Sequence, residues 1–360
     1  MIGVGSSAQV ASQQTVQTGD IPAPLRGMDA RLGASTDETN HCLWAINMTP
    51  ADYGMRVRQG YREWQVGLPS EVRTVIPYEG LPQSSADDRL FSVCASGIYD
   101  TTVYGAAPVQ KVAFTETGDD AGWGVFTHYI DQSGDDIVYY ADGANGLFVY
   151  TPATDSWAQA TGIVEAPGSL GTLAVEDIIY VVSHKLRLWV ITKDSNKAWY
   201  LGVGASTGEA TEFFFGAKFK HGGNLVGLYN WTMDGGAGRD DQLVAVSRSG
   251  DVLPYQGDDP SSSMTWENVG VYFIGATPLG HRIASEYGGN LFLLSTLGII
   301  SMQELTAGAE VEDANRSQLG AKISRLVRLD MRDTKNTHGW NIRFVADQST
   351  LVVNTPLRPD

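Results

Sequence analysis

The sequence predicts an all-β chain of β-propeller type: about six to seven sheet units, complete or not, with a flexible N-terminal arm and one late amphipathic helix. Three observations carry this. Apolar β-rich runs come in pairs joined by Gly-type turns. The pairs recur at uneven but blade-like intervals of roughly 40–50 residues. The 360 residues include 41 glycines, spread along the whole chain. So much glycine is what many tight turns between short strands require.

Residues 1–20 are small and polar (Ser6, Ser7, Gln13, Gln14) and read as a flexible arm. From Ile21 to Tyr61 the chain is punctuated by Pro22, Pro24, Gly27, Pro50, Gly54 and Gly60. Asn47-Met-Thr-Pro50 predicts a turn, and a strand is expected from about Met55 to Val66. Five strand pairs come next along the chain. Leu90–Val93 turns at Ser96-Gly97 into Ile98-Tyr99. Ile137–Tyr140 turns at 142–146 into Leu147–Tyr150. Ile178–Val182 turns near His184-Lys185 into Leu186–Ile191. Leu243–Val246 turns at 248–250 into Val252-Leu253, and Leu291–Leu294 turns at Leu297-Gly298 into Ile299-Ile300. A Trp often comes later in the unit (Trp157, Trp199, Trp266). His221-Gly-Gly-Asn-Leu225 is echoed by Tyr287-Gly-Gly-Asn-Leu291. A pair of β-sandwiches would share the hairpins, but not near-periodic spacing over more than half the chain.

Ala314 to Met331 breaks the pattern. Leu319, Ile323, Leu326 and Val327 stand at helical spacing, with Asp313 or Asn315 able to cap. Gly339-Trp340 ends that region, and strands resume at 342–345 and 351–353. The expected organisation is an arm at 1–20, a propeller-like domain at 21–313, and a helix with closing strands of the same domain at 314–360.

Charge and cysteine content narrow the function classes. The net charge of −16 opposes tight binding to DNA phosphates and docking on anionic lipid. It does not forbid DNA from passing without sticking, since a negative wall repels a negative polymer. Cys42 and Cys94 are too few for a disulfide scaffold and are expected as free thiols made in a reducing cytoplasm. The N-terminus lacks a basic region followed by an apolar run, so no signal peptide is expected. No apolar stretch reaches the ~20 residues of a membrane helix.

Motifs for chemistry are weak. Gly204-Ala-Ser206-Thr-Gly208 matches the G-x-S-x-G nucleophile elbow, but Glu212–Phe215 reads as a strand where a helix is required. A plain turn is the better reading. The six histidines are scattered without i,i+4 partners, and neither cysteine lies in C-x-x-C. Acidic clusters at Asp119-Asp120, Asp131…Asp135-Asp136, Asp240-Asp241 and Asp258-Asp259 read as solvated loop tips; Asp131–Asp136 only partly matches a calcium loop. Gly235–Gly238 lacks the following Lys-Ser/Thr of a phosphate loop. No catalytic, metal or cofactor residues are therefore assigned.

The order of landmarks carries more. Pro22-Ala-Pro24, Gly27, Asn47-Met-Thr-Pro50 and Arg56-Val-Arg58-Gln-Gly60-Tyr61 resemble the opening of the tail nozzle (tail hub) proteins of short-tailed, podovirus-type bacteriophages. A later block is more specific: 241–247, Ser249-Gly-Asp251, Tyr255-Gln-Gly257-Asp-Asp-Pro260, Trp266, Val269–Tyr272, Pro278-Leu-Gly280, Gly288-Gly289 and Leu297–Ile300. The helix, Gly339-Trp340 and Val352-Val-Asn-Thr-Pro356 resemble the next segment of that family. The likeness spans most of residues 21–356 as spaced motifs. Family members continue past the last of these strands, whereas this sequence stops at Asp360; either the subunit is short, or other strands or a neighbour close the last blade.

The resemblance implies a non-enzymatic virion protein of the phage tail, assembled in the host cytoplasm. Such proteins self-associate into a ring, usually a hexamer, that retains packaged double-stranded DNA and lets it out by ejection on infection. Partners would be tail adaptor and portal-proximal proteins, and fibres or spikes. DNA would pass without sequence-specific binding, through an acidic lumen and without stable membrane insertion. Loops 80–90, 105–124, 204–212 and 232–241 are candidates for contacts or for a gate. The competing reading is a soluble β-propeller binding module for a glycan or protein, with Trp123 and Trp231 at loop tips. A propeller hydrolase or oxidoreductase with axial acids is the third.

Overall fold

The computed structural model describes residues 27–31, 40–51, 54–80, 87–232, 241–308 and 320–356. The expected arm at 1–20 lies outside the described residues, as do Asp313, Asn315 and Leu319. The chain divides into two compact units, Met1–Gln59 and Gly60–Asp360.

The first unit is built on a two-stranded ribbon. β1 (Met48–Ala51) pairs antiparallel with β2 (Gly54–Val57), Met48 facing Val57. Asn47 takes a left-handed φ of 60°, but the expected turn stops there, because Met48–Ala51 extend and Pro50 lies in the strand. The predicted strand to Val66 ends at Val57, where its four-residue partner runs out. Asp29 accepts from both Nε and Nη2 of Arg31, at 3.0 and 2.7 Å.

The second unit is the propeller. Its first sheet has order β3 (Thr74–Tyr78), β4 (Arg89–Cys94), β5 (Gly97–Asp100), β6 (Val109–Ala113). The second follows as β7 (Val125–Ile130), β8 (Asp136–Asp142), β9 (Gly146–Thr151), β10 (Ser156–Gln159). β11 (Ile163–Glu165) precedes the third sheet, β12 (Ile178–His184), β13 (Arg187–Thr192), β14 (Lys197–Tyr200) and β15 (Gly208–Phe214), and joins it outside β15 as the one parallel pair among these strand ladders. The fourth holds β16 (Leu225–Thr232), β17 (Asp241–Ser247), β18 (Asp251–Gly257), β19 (Trp266–Asn268) and β20 (Tyr272–Phe273), the last two both on β18. The fifth has three strands, β21 (Ala284–Tyr287), β22 (Asn290–Ser295) and β23 (Gly298–Ser301). A hairpin of β24 (Asn341–Val345) and β25 (Thr350–Asn354) makes a sixth, two-stranded sheet.

All five predicted strand pairs are therefore hairpins of this propeller, and six units are present among the described residues, the last two incomplete. The Gly-Gly-Asn-Leu echo differs. Gly222, Gly223, Gly288 and Gly289 all have positive φ, yet the first copy opens a first strand, β16, and the second is the β21–β22 turn. Three of the expected loops are partly strand: 80–90 runs into β4, 105–124 contains β6, and 204–212 runs into β15.

Alternation within strands explains why the apolar runs are continuous. In β13, Leu188 and Val190 pack against the second sheet, while Trp189 and Ile191 pack toward the fourth. In β8, Val138 and Tyr140 face the first sheet, and Tyr139 and Ala141 face the third. Successive side chains point to opposite faces, so a strand covered on both faces has no polar side. The buried residues form three clusters between neighbouring sheets: first against second, second against third, and third through sixth. This face-to-face stacking around a shared centre is the propeller arrangement.

Of the predicted helix at 314–331, residues 314–319 lie outside the described residues, Gly320–Ile323 turn, and the helix runs on past Met331 to Thr334. α1 (Met302–Thr306) is capped by the Ser301 side chain, which accepts from the Glu304 backbone N–H. α2 (Ser324–Thr334) buries Val327, Met331 and Thr334. The chain from Gly320 to Ile323 turns instead of continuing the helix, and Ile323 sits at its start. α1 touches β22 and β23, and α2 touches β23, so helices lie beside the sheet that has three strands among the described residues. Trp340 donates its indole N–H to Thr334 O at 3.1 Å, tying the helix end to β24.

A buried histidine, His184, and a half-buried one lining an axial cavity, His281, make the fold acid-sensitive. His184 donates Nδ1–H to Asn230 Oδ1 at 2.8 Å, while its Nε2 is buried with no protein partner. Burial pushes its pKa down to about 4. His281 donates Nδ1–H to Val226 O at 2.6 Å, and burial pushes it down to about 4 as well. An unfolded imidazole titrates near ~6.5. The unfolded chain therefore binds protons that the fold refuses. The stability from keeping these rings neutral is complete above pH ~6.5 and is lost as pH falls toward ~4. Melting temperature against pH should fall across that window. The slope should be shallower in His184→Asn, whose amide keeps a donor for Asn230 but takes up no proton. An unchanged slope would remove His184 from the account.

Candidate functional site: an axial cavity and an apolar ribbon

The first strands of the sheets converge on one cavity of about 630 Å³. β3, β7, β12, β16, β21 and the β24–β25 hairpin all contribute lining residues. Neighbouring first strands touch in succession: β7 with β12, β12 with β16, β16 with β21, and β21 with β24. Ile342 N–H of β24 bonds Arg282 O at 3.1 Å beside β21.

Arg282 joins the last complete turn of chain to the first. Its Nε donates to Gly124 O at 2.8 Å, Nη1 to Arg73 O at 2.9 Å, and Nη2 to Thr74 Oγ1. Thr74 Oγ1 donates in turn to Gly122 O. Gly122 N–H donates to Asp142 at 2.6 Å. The fully buried Asp142 also accepts from Tyr140 Oη at 2.9 Å and from Asn145 Nδ2 at 2.8 Å. Burial holds the Arg282 guanidinium below its usual value, while Tyr140 and Asp142 act the other way. His338 Nε2 lies 2.8 Å from Asp120 Oδ1, a second link from the approach to β24 back to the loop before β7.

Trp123 is half-buried in this cavity and is not at an exposed tip. Arg73 and Arg282 stand over its ring at 5.7 and 5.9 Å, and His338 stacks with it at 6.1 Å and 9°. Trp231 is fully buried in β16 and donates to Gly289 O at 3.1 Å, so it offers no platform to a sugar. Neither aromatic fits the expected role. The axial acids that a propeller hydrolase would use are missing from the lining, whose charged members are Arg73, Arg282 and Arg343.

The remaining motifs settle as local structure. Ser206 Oγ donates to Asp131 Oδ2 at 3.1 Å, and Gly208 opens β15, so G-x-S-x-G is a turn followed by a strand. Asp131 Oδ1 accepts the backbone N–H of Ser133 and Asp135 at 2.8 and 3.1 Å, which closes its own loop. Asp258 and Asp259 are not merely solvated: they lie 2.9 Å from Lys185 and 3.6 Å from Arg187. Asp240 lies outside the described residues. Among those described, no three His, Cys, Asp or Glu side chains gather as a metal site. Cys42 and Cys94 are free, and burial raises the Cys94 thiol.

No motif marks the second feature. The ribbon of the first unit and the segment leading into it expose Leu43, Trp44, Ile46, Met48 and Val57, with Trp44 70% and Ile46 83% exposed. Its one signal in the sequence is the crowding of apolar residues into a punctuated segment.

No family model matches the chain, and no curated protein does. Among solved structures, the chain is similar to the extracellular domain of a putative hybrid two-component system from B. thetaiotaomicron, at 14% identity and TM-score 0.43, over 79% of this chain and 33% of that one. It is also similar to BBS1N in complex with ARL6DN, at 13% identity and TM-score 0.40, over 66% of each chain. A third is YCF48 from Cyanidioschyzon merolae, at 14% identity and TM-score 0.33, over 63% of this chain and 67% of that one. Scores at this level bear on neither activity nor partner; the propeller assignment rests on the sheet order and the shared cavity.

Proposed function

We propose that the chain is a non-catalytic structural subunit of a virion, a tail nozzle or hub protein of a short-tailed bacteriophage. Copies close into a ring, six-fold as is usual for that family, through which DNA is retained and then ejected. The ordered landmarks between Pro22 and Pro356 support this reading. The observation that carries it is the exposed ribbon. Two antiparallel strands alone are marginal in water, and this pair with the segment leading into it leaves Trp44, Ile46, Met48 and Val57 exposed. Such a surface is completed by a neighbour. Ring closure needs two different patches on each subunit, and the ribbon supplies one. The net charge of −16 lets DNA pass without adhering. Adaptor and portal-proximal proteins, and fibres or spikes, are the remaining partners of this role.

Negative-stain images of the purified chain should show six-fold rings. A monomer that persists at high concentration would overturn the reading and favour a soluble binding module, which a glycan array would then probe. Trp44→Ser with Ile46→Ser should cut ring formation about tenfold or more, a loss of at least ~1.4 kcal/mol. The melting temperature of the propeller should not move, since both side chains are exposed. Rings of undiminished stability in that variant would exclude the ribbon as the contact.

A further inference from the structure

We propose that the axial cavity binds a small organic anion, an oxyanion group carried on an apolar body. Its volume of about 630 Å³ lies within the ~300–1,000 Å³ range of small-molecule sites. Its sign runs against that of the chain. A protein of net charge −16 lines this cavity with Arg73, Arg282 and Arg343 and with no aspartate or glutamate.

The donors are placed for it. The guanidinium of Arg282 has five N–H groups, and three of its bonds go to Gly124, Arg73 and Thr74. That leaves two directions open. Arg343 is exposed on β24, two residues from the Asn341 that also lines the cavity. Among the described residues the Arg343 side chain has no hydrogen bond or ion pair, and its charge bears unfavourably on Arg282. Two like charges beside one cavity, whose lining holds no carboxylate among the described residues, favour an anion there. Holding the ring closed explains Arg282 but leaves Arg343 without a role. Val72, Val125, Phe126, Val181 and Ile342 add apolar surface to the lining. A bare inorganic ion would leave that surface unused.

Calorimetric titration of the full chain tests this with phenyl phosphate, benzoate, inorganic phosphate and the neutral benzyl alcohol. Phenyl phosphate or benzoate should bind one per chain with Kd below about 1 mM, and benzyl alcohol should not bind. Which aromatic anion binds tighter separates a phosphate from a carboxylate ligand. Arg343→Glu should weaken binding at least about tenfold, Arg343→Lys should retain part of it, and Arg325→Glu, an equal charge change on the exposed side of α2, should leave it unchanged. Arg343 is exposed, so its variants should melt with the parent. Absence of saturable binding by either aromatic anion overturns the proposal. So does equal binding by the parent and Arg343→Glu, or equal weakening by Arg325→Glu. None of these outcomes depends on whether the chain forms rings.

Discussion

Arg282→Ala should destabilise the propeller by about 3–5 kcal/mol, the cost of stripping one side from a buried hydrogen-bonded charge network. The substitution takes a donor from Gly124 O, Arg73 O and Thr74 Oγ1 at once, Thr74 keeping its bond to Gly122 O. It also removes the positive charge that faces the buried Asp142 and Tyr140. These acceptors belong to the first two sheets, whereas Arg282 leads into the fifth. Denaturant unfolding should report the loss as a lower midpoint. Arg282→Lys should restore little, because an ammonium cannot span three acceptors in the plane of a guanidinium. A variant within about 1 kcal/mol of the parent, by the same principle of paired burial, would show that the junction is held by other contacts.

Trp189→Ala is expected to cost a similar ~3–5 kcal/mol by a different route, the cavity left by a large buried ring. Trp189 is fully buried at the centre of β13. Its ring lies 5.9 Å from that of Trp266, nearly parallel at 19°, and 4.9 Å from that of Tyr200. It therefore ties β13 and β14 of the third sheet to β19 of the fourth. Trp189→Phe should lose less, about 1–3 kcal/mol, because part of the volume survives. Near-ultraviolet circular dichroism should lose the indole signal along with the stability. A small loss in Trp189→Ala would mean that the two sheets collapse into the gap.

The hairpins were legible in the sequence because their strands are buried on both faces. Ile178–Val182, Leu243–Val246 and Leu291–Leu294 have no polar side to interrupt the run, and each ends at a turn with a distinct signature. The innermost strands were harder to see. β3 reads Thr-Val-Ile-Pro-Tyr, and Pro77 argues against a central strand; it is tolerated because β3 is an edge strand of its sheet. β21 reads Ala-Ser-Glu-Tyr, which has little strand propensity and is held by pairing with β22. Pro254 falls where β18 changes partners, between its pairing with β19 and with β20. The cavity was invisible for the same reason as β21. Arg73, Arg282 and Arg343 are far apart in sequence, and only closure of the ring brings them to one centre. The helical period runs through Gly320, whereas the backbone turns from Gly320 to Ile323, and the described helix carries on past Met331 to Thr334.

Because alternate residues of β8 and β13 serve cores on opposite sides of their sheets, neither the second nor the third sheet can be lost without baring two faces. A linear array of repeats can fray from either end, its stability being a sum over neighbours. Here Arg282 ties the approach to the fifth sheet back to the first two, so fraying from the late end also breaks contacts at the early end. Unfolding of the propeller should be a single cooperative transition, and a break at any one blade should be felt at all of them.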